Sequence, residues 1–386
     1  MRILILHSRY LSGAASGENR VLEDETRLLT QAGHEVSVLA PTPSETGGAL
    51  ELVRTAVGAV WSASAAKEVT STIRAGKPDV VHCHNLFPAL SPTVLRAAAA
   101  SGRPVVMTLH NYRLACLPAT LLRDGRICQD CVGRVPWPGV LHRCYRGSRA
   151  ASAVLATSIT LHRKVHSFDK VSAFFAISRF VRDKHIEAGL PGDRIIIKPN
   201  FAWPTEQRVG AGEYFLYLGR LTPEKGVSTL IRAWRDAPAP LLVVGEGPEE
   251  EALRRLAPSS VEFHSTVSPE SVPTLLRGAR ALLVPSLWYE GFGKVVVEAY
   301  ASGVGVLASH IGALPEVVEH GVSGLLLPPD DVEAWQRAAW QLMDDEVSIR
   351  LGKAGFATWE SRYHPEIGMR DLERAYETAI DLHSKT

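Results

Sequence analysis

The segment Tyr289–Glu298, YEGFGKVVVE, sets two carboxylates, Glu290 and Glu298, around a Gly-Phe-Gly turn. Gly291 and Gly293 carry no Cβ, so the backbone there can approach a ligand closely. Main-chain N–H groups at the start of the helix that the turn opens can meet phosphate or hydroxyl oxygens. With Glu290 in the loop and Glu298 just inside the helix, the two acids can grip two ends of one polyhydroxylated ligand. A helix N-terminus with an acid beside it is the simpler reading, and other segments decide between them.

Upstream, the apolar run YFLYL (214–218) ends in Gly219-Arg220-Leu221-Thr222-Pro223-Glu224-Lys225-Gly226. A strand followed by a glycine-bounded loop with two cations suits a diphosphate. Arg220 can bind phosphate through two parallel N–H groups, and Lys225 adds a compact charge. A solvated loop is the alternative. The loop lies about 70 residues before Glu290, a separation that fits within one nucleotide-binding domain. Between them, LLVVGEGP (241–248) reads as a buried strand ending in Gly245-Glu246-Gly247-Pro248. It is not a G-x-G-x-x-G dinucleotide fingerprint.

Together, the E-x7-E element and the G-R-x4-K-G loop resemble the signatures of retaining, nucleotide-sugar-dependent glycosyltransferases of the family 4 (group 1) type, which have the GT-B fold. The resemblance covers essentially the whole chain and is strongest in the second half. It implies that the loop with Gly219, Arg220 and Lys225 holds the donor diphosphate, and the family has the same turn at Gly245, which is expected to contribute to donor binding. Glu290, Gly291 and the Phe292/Gly293 backbone would hold the donor sugar hydroxyls, and Glu298 the ribose. The backbone at Thr266 and Val267, after VEFHS (261–265), would meet the base. In the first half, Ser12–Asn19 stands where the family has a glycine-rich loop that reaches the donor phosphates. Gly17 is its better match, but Ser16 stands where the family shows a paired glycine, and a plain strand-to-helix turn is the alternative.

His110, in Thr108-Leu109-His110-Asn111-Tyr112, follows a buried strand, and side chains at strand C-termini in open α/β sheets face the ligand crevice. By resemblance it supports the transition state beside the donor sugar, and it joins Glu290, Arg220 and Lys225 as the expected catalytic set. His82 and His84 alternate on another strand and, with His110, could be read as a metal triad. The family generally needs no catalytic metal, and strand-end histidines commonly bond acceptors or backbone, so none is expected.

Such residues need strands and helices to hold them. Apolar runs of strand length occur at RILIL (2–6), EVSVLA (35–40), DVVHCH (79–84), PVVMTLH (104–110), AFFAIS (173–178) and RIIIKP (194–199). A second series comprises YFLYLG (214–219), LLVVG (241–245), VEFHS (261–265), ALLVPS (281–286), GVLAS (305–309) and GLLLP (324–328). Amphipathic stretches such as 19–33 and 226–237 separate them. Buried strands alternating with helices predict parallel sheets, here an α/β protein with two Rossmann-like domains. The resemblance adds a GT-B arrangement in which these domains face a central cleft. The expected division is an acceptor-binding domain over 1–199, a nucleotide-sugar-binding domain over 200–364, and a final helix over 365–386 crossing back to the first. The polar, Pro- and Gly-containing segment Asn200–Gly212 is the expected break.

Cys116, Cys128, Cys131 and Cys144 cluster within 116–144, with Cys83 apart. The surrounding segment, which reads as an insert over 112–147, is rich in Arg, Gly and Pro. A Cys-x2-Cys knuckle with flanking cysteines has zinc-ribbon-like composition, and in a reducing compartment favours structural zinc over disulfides. Reduced thiols, or a redox pair at Cys128 and Cys131, are the alternatives, and His142 could replace one cysteine. The insert is also a candidate acceptor platform.

The chain has 386 residues, 46% hydrophobic and 22% charged, with a formal net charge of +1. That length calls for two domains, and the neutral balance gives no global field to draw in nucleic acid. No apolar run reaches the length of a membrane span. A cytoplasmic protein is expected, with peripheral contact at the inner membrane face left open. The function expected is transfer of a sugar from a UDP- or GDP-sugar to a hydroxyl acceptor in glycan, glycolipid or natural-product biosynthesis, with retention implied by the resemblance. The alternatives are a sugar-nucleotide epimerase of the same fold, or a non-catalytic module acting through its cysteine-rich insert. The intact Arg220/Lys225/Glu290/Glu298 set argues against decay of the site.

Overall fold

The structure is a computed structural model and describes residues 1–9, 17–42 and 49–385. In chain order the strands are β1 (Arg2–Leu6), β2 (Glu35–Leu39), β3 (Val80–Cys83), β4 (Val105–Leu109), β5 (Leu122–Arg123), β6 (Arg126–Ile127), β7 (Ala173–Ala176), β8 (Ile195–Ile197), β9 (Tyr214–Leu218), β10 (Leu241–Val244), β11 (Val261–His264), β12 (Ala279–Val284), β13 (Val306–Ser309) and β14 (Gly324–Leu327). They form two six-stranded parallel sheets, ordered β2-β1-β3-β4-β7-β8 and β11-β10-β9-β12-β13-β14, and one antiparallel hairpin, β5-β6. The continuous apolar runs explain the parallel arrangement, since β3, β4, β7 and β12 are buried along their whole length. The run at 35–40 behaves differently. As the edge strand β2 it has only one neighbour, and it is largely exposed.

By contact density the chain falls into two units. One comprises Met1–Leu121, Cys128–Lys198 and the segment from Met369; the other comprises Leu122–Ile127 and Pro199–Gly368. The main boundary lies at Lys198/Pro199, just before the polar segment. Residues 201–202 already pack inside the second unit: Phe201 and Ala202 are buried, and the Trp359 indole donates to the Ala202 carbonyl at 3.0 Å.

Four helices carry or support residues singled out in the sequence: α1 (Gly17–Gln31), α2 (Trp137–Leu141), α3 (Lys294–Ala301) and α4 (Pro365–Ser384). From Met369 onward α4 completes the first unit. Leu372, Ala375, Tyr376 and Ala379 join Ile3, Ile5, Val80, Val106 and Phe175 in one core. Helix α1 buries Val21, Leu22, Leu28 and Leu29 on one face, with Glu25 and Asp24 beside them.

Each sheet reverses its strand order once. In the first the reversal lies between β1 and β3, and in the second between β9 and β12. Beyond the strand C-termini at such a point, two loops diverge and leave room for a ligand.

Candidate active site

In the second unit, three loops meet at that point. The turn after β9 packs on the loop after β12: the Leu287 N–H donates to the Glu224 carbonyl at 2.9 Å. Gly226 has φ +70°, and a Cβ there would stand 2.1 Å from the Pro285 carbonyl oxygen. The loop after β10 closes on the same turn through Leu221 N–H to Glu246 O, 2.9 Å. Gly245 has φ +144°, and its Cβ would lie 1.9 Å from the Gly219 oxygen. Only glycine satisfies both the backbone angle and the contact. The Tyr217 hydroxyl, donating to the Arg220 carbonyl at 2.7 Å, fixes the loop from beneath.

This packing places Lys225 against Glu290, Nζ to Oε1 at 2.6 Å, and Ser286 donates to the same oxygen at 2.6 Å. Glu290 is 7% exposed. Burial alone would raise its carboxyl pKa, but the Lys225 charge and the hydrogen bonds from Lys225, Ser286 and Trp288 prevail and hold it below the ordinary value. The Lys225 ammonium also lies 5.2 Å from the centre of the Trp288 ring. Arg220 is half-exposed and pairs with Glu224 at 3.1 Å. Thr222 Oγ1, in the turn after β9, and Ser309 Oγ, at the end of β13, are buried polar atoms without hydrogen-bond partners among the described residues. Such groups call for an explanation, and a polar ligand is one.

The structure also places the other sequence-predicted residues. Gly293, at φ +84°, caps α3, so the E-x7-E acids do flank a helix start. Glu298 lies one turn into α3 and accepts from Lys294 at 2.9 Å. Phe292 is buried against Tyr363, which leaves its backbone rather than its ring to serve a ligand. The Thr266 N–H is engaged by Glu246 Oε1 at 3.3 Å, and Val267 is half-buried. Gly17 opens α1, and a Cβ there would meet no atom of the described residues within 4 Å. The remainder of its loop, Ser12–Ser16, lies outside the described residues.

The first unit carries four imidazoles at the C-terminal ends of β1, β3 and β4: His7, His82, His84 and His110. His82 lies between the Tyr376 hydroxyl, 2.8 Å from Nδ1, and Thr108 Oγ1, 2.7 Å from Nε2. His84 Nδ1 meets His110 Nε2 at 2.9 Å, and its Nε2 faces Glu25 Oε2 at 3.6 Å. Glu25 Oε1 is bound by Lys198, and both side chains are buried. Burial, followed by neighbouring charges, pushes His82, His84 and His110 well below the usual histidine range. Asn111, next to His110, donates to Glu18 in the first turn of α1. Glu25, His82 and His84 are close enough to share a metal ion. Both nitrogens of His82 are already engaged, however, and the Lys198 ammonium already balances the Glu25 carboxylate, so the cluster fits a hydrogen-bond network better.

Sequence reasoning missed Glu25, Lys198, Ser286 and Trp288. A signal existed for Glu25, which falls three residues after Leu22 and four before Leu29 on the apolar stripe of α1. None of the four clustered cysteines forms a disulfide. Burial pushes the Cys131 thiol up to about 11, and the thiols of Cys116, Cys144 and Cys128 add to that shift. Burial also raises Cys116, while backbone N–H groups of Leu121, Thr120 and Ala119 favour its thiolate.

The two six-stranded parallel sheets are those of the GT-B fold. The chain belongs to the family 4 (group 1) glycosyltransferases: "Glycosyltransferase Family 4" matches residues 15–202 and "Glycosyl transferases group 1" residues 204–356. Phosphatidyl-myo-inositol mannosyltransferase of Mycolicibacterium smegmatis is 28% identical over 381 residues, covering 91% of this chain and 87% of that protein. O-antigen chain mannosyltransferase B of Escherichia coli is 29% identical over 235 residues, 52% of this chain and 61% of the relative. Among solved structures, Anabaena HepE in complex with UDP and glucose aligns with a TM-score of 0.64 at 19% identity, over 97% of this chain and 99% of that one. Sucrose-phosphate synthase from Thermosynechococcus elongatus aligns at 0.69 and 16% identity, over 97% and 98%.

Proposed function

We propose that the enzyme transfers a hexose from a UDP- or GDP-sugar to a hydroxyl acceptor with retention of anomeric configuration. The observation that carries this reading is the Lys225–Glu290 pair, half-buried where three loops converge beside Arg220. In the free enzyme the pair neutralises itself. When a donor arrives, Lys225 turns to the diphosphate and Glu290 is released to accept sugar hydroxyls. Arg220 and Lys225 then balance the charge that grows on the β-phosphate, with the α3 N-terminus adding its dipole. The bond from C1 to the phosphate oxygen breaks, the acceptor oxygen bonds C1 on the same face, and its proton passes to the departing phosphate. Glu298 holds the ribose and the backbone at Thr266 and Val267 the base. By the family resemblance, His110 supports the donor sugar and Gly17 the donor phosphates. The names of the two relatives above support a mannosyl donor. The test is NMR of the product: its new bond should keep the donor's anomeric configuration, and inversion would contradict the reading.

The cysteine-rich insert supports a second part of the proposal, a structural zinc held by Cys116, Cys128, Cys131 and Cys144. The thiols are neighbours, and the N–H groups around Cys116 are suited to a thiolate. The insert also exposes Val135, Trp137 and Leu141 on and beside α2, among the exposed residues Arg134, Arg143, Arg146 and Arg149. No Asp or Glu occurs between Asp130 and Asp169. An apolar tip with a basic collar suits an anionic membrane face, where the phospholipid in the Mycolicibacterium relative's name would place an acceptor. No helix among the described residues is long and apolar enough to cross a membrane, so contact would be peripheral. Protein purified without a metal-affinity tag should carry about one zinc per chain. Chelation should expose 116–144 to protease and release the protein from anionic vesicles. Less than a tenth of an equivalent, with four freely titrating thiols, would leave reduced cysteines as the answer.

A further inference from the structure

Glu25, His84 and His110 form a directed chain. Glu25 is bound to Lys198 through Oε1, so as a carboxylate it can only accept hydrogen bonds. Its Oε2 and the facing His84 Nε2, 3.6 Å apart, are both buried, and neither has another partner. If Nε2 lacked its proton, two lone pairs would face each other in a site shut off from water. With the proton on Nε2, the contact becomes attractive. A neutral His84 then has an acceptor at Nδ1, and the 2.9 Å contact must be a donation from His110 Nε2–H. That leaves His110 Nδ1 unprotonated, with no hydrogen-bond partner among the described residues. His110 borders a small cavity shared with His84, Asn85, Asn111 and Arg113.

We propose that Glu25 and His84 are positioning residues that lock His110 in the Nε2–H tautomer, so that its Nδ1 accepts a hydrogen bond from a substrate hydroxyl. The role at the substrate rests on the function proposed above, in which His110 supports the donor sugar. The tautomer does not. The arrangement gives three buried groups a function that their packing alone does not require. It also explains a charged pair, Glu25–Lys198, inside a core where apolar residues would serve stability as well. Burial works against protonation of His82, His84 and His110, and on His110 the neighbouring His84, Lys198 and His7 act in the same direction while Glu25 opposes them, so the relay carries direction rather than charge.

Long-range 1H–15N NMR of the full chain reads the tautomer directly. The wild-type protein should show His110 neutral and protonated at Nε2. Protonation at Nδ1, or an imidazolium at neutral pH, would overturn the proposal without any folding variant. Glu25→Leu combined with Lys198→Met removes the acceptor without stranding a buried charge. His110 should then populate both tautomers, and kcat should fall about tenfold, the scale of one hydrogen bond, with little change in KM. Glu25→Gln with Lys198→Met keeps an acceptor oxygen and should restore both readouts. Retention of a single Nε2–H tautomer in the leucine variant would show that Glu25 does not direct it. Loss of the tautomer with unchanged turnover would separate the relay from catalysis and overturn the placement of His110 at the substrate.

Discussion

Lys225→Ala should nearly abolish transfer and weaken nucleoside-diphosphate binding by about 1.5–3 kcal/mol, the scale of a lost charge-assisted hydrogen bond. It should also destabilise the free enzyme, because it leaves the Glu290 carboxylate buried with only the neutral donors Ser286 and Trp288 among its side-chain partners. Removing one partner of a fully buried pair costs about 3–5 kcal/mol, and the partial exposure of Lys225, 22% of its side chain, reduces that. Arg220→Ala separates the two effects. Its side chain is half-exposed, so stability should hold within about 0.5 kcal/mol while nucleotide affinity drops as for Lys225. Adding Glu290→Gln to Lys225→Ala should recover stability but not turnover. Denaturant unfolding and calorimetry with UDP and GDP measure both quantities. Wild-type affinity in both single variants would remove the diphosphate from the 219–226 loop.

Glu290→Gln should cut sugar-dependent turnover by orders of magnitude and leave free-nucleotide affinity near wild type, whereas Glu298→Gln should do the reverse. Glu290 touches Lys225 and Ser286 at the loop centre, while Glu298 lies a turn into α3 beside Lys294. Calorimetry with free nucleotide, set against the intact donor, distinguishes the two roles; equal losses of nucleotide affinity would refute the division. The first substitution also has a pH signature. The folded-state carboxyl of Glu290 lies below its ordinary value of 4.5. Its stabilising contribution is therefore complete above that value and disappears as the pH falls through the lower folded-state value. The glutamine variant should lack this acid-side loss.

The sequence made the sheets legible because parallel strands buried on both faces read as unbroken apolar runs, and both series appear in the structure. Exposure of β2 was not legible: a run such as EVSVL looks the same at an edge as in the centre. The loops at 219–226 and 289–298 announced themselves through glycines that only a turn requires. Their direct contact did not, because the 65-residue separation between Lys225 and Glu290 is closed by a strand order that brings β9 beside β12. The Glu25–Lys198 pair is 173 residues apart in the chain and was hidden too, even though a glutamate on an apolar helix stripe signals a buried partner.

The central claim is that the second unit binds a nucleoside diphosphate and its sugar. A thermal-shift titration of the wild-type chain with UDP, GDP, ADP and their sugars tests it most directly. A ligand at a hundred times its Kd adds about 2.7 kcal/mol to the folded state. One base should therefore raise Tm clearly, with the raise lost in Arg220→Ala. A flat response to all three nucleotides and their sugars at millimolar concentration would contradict the account.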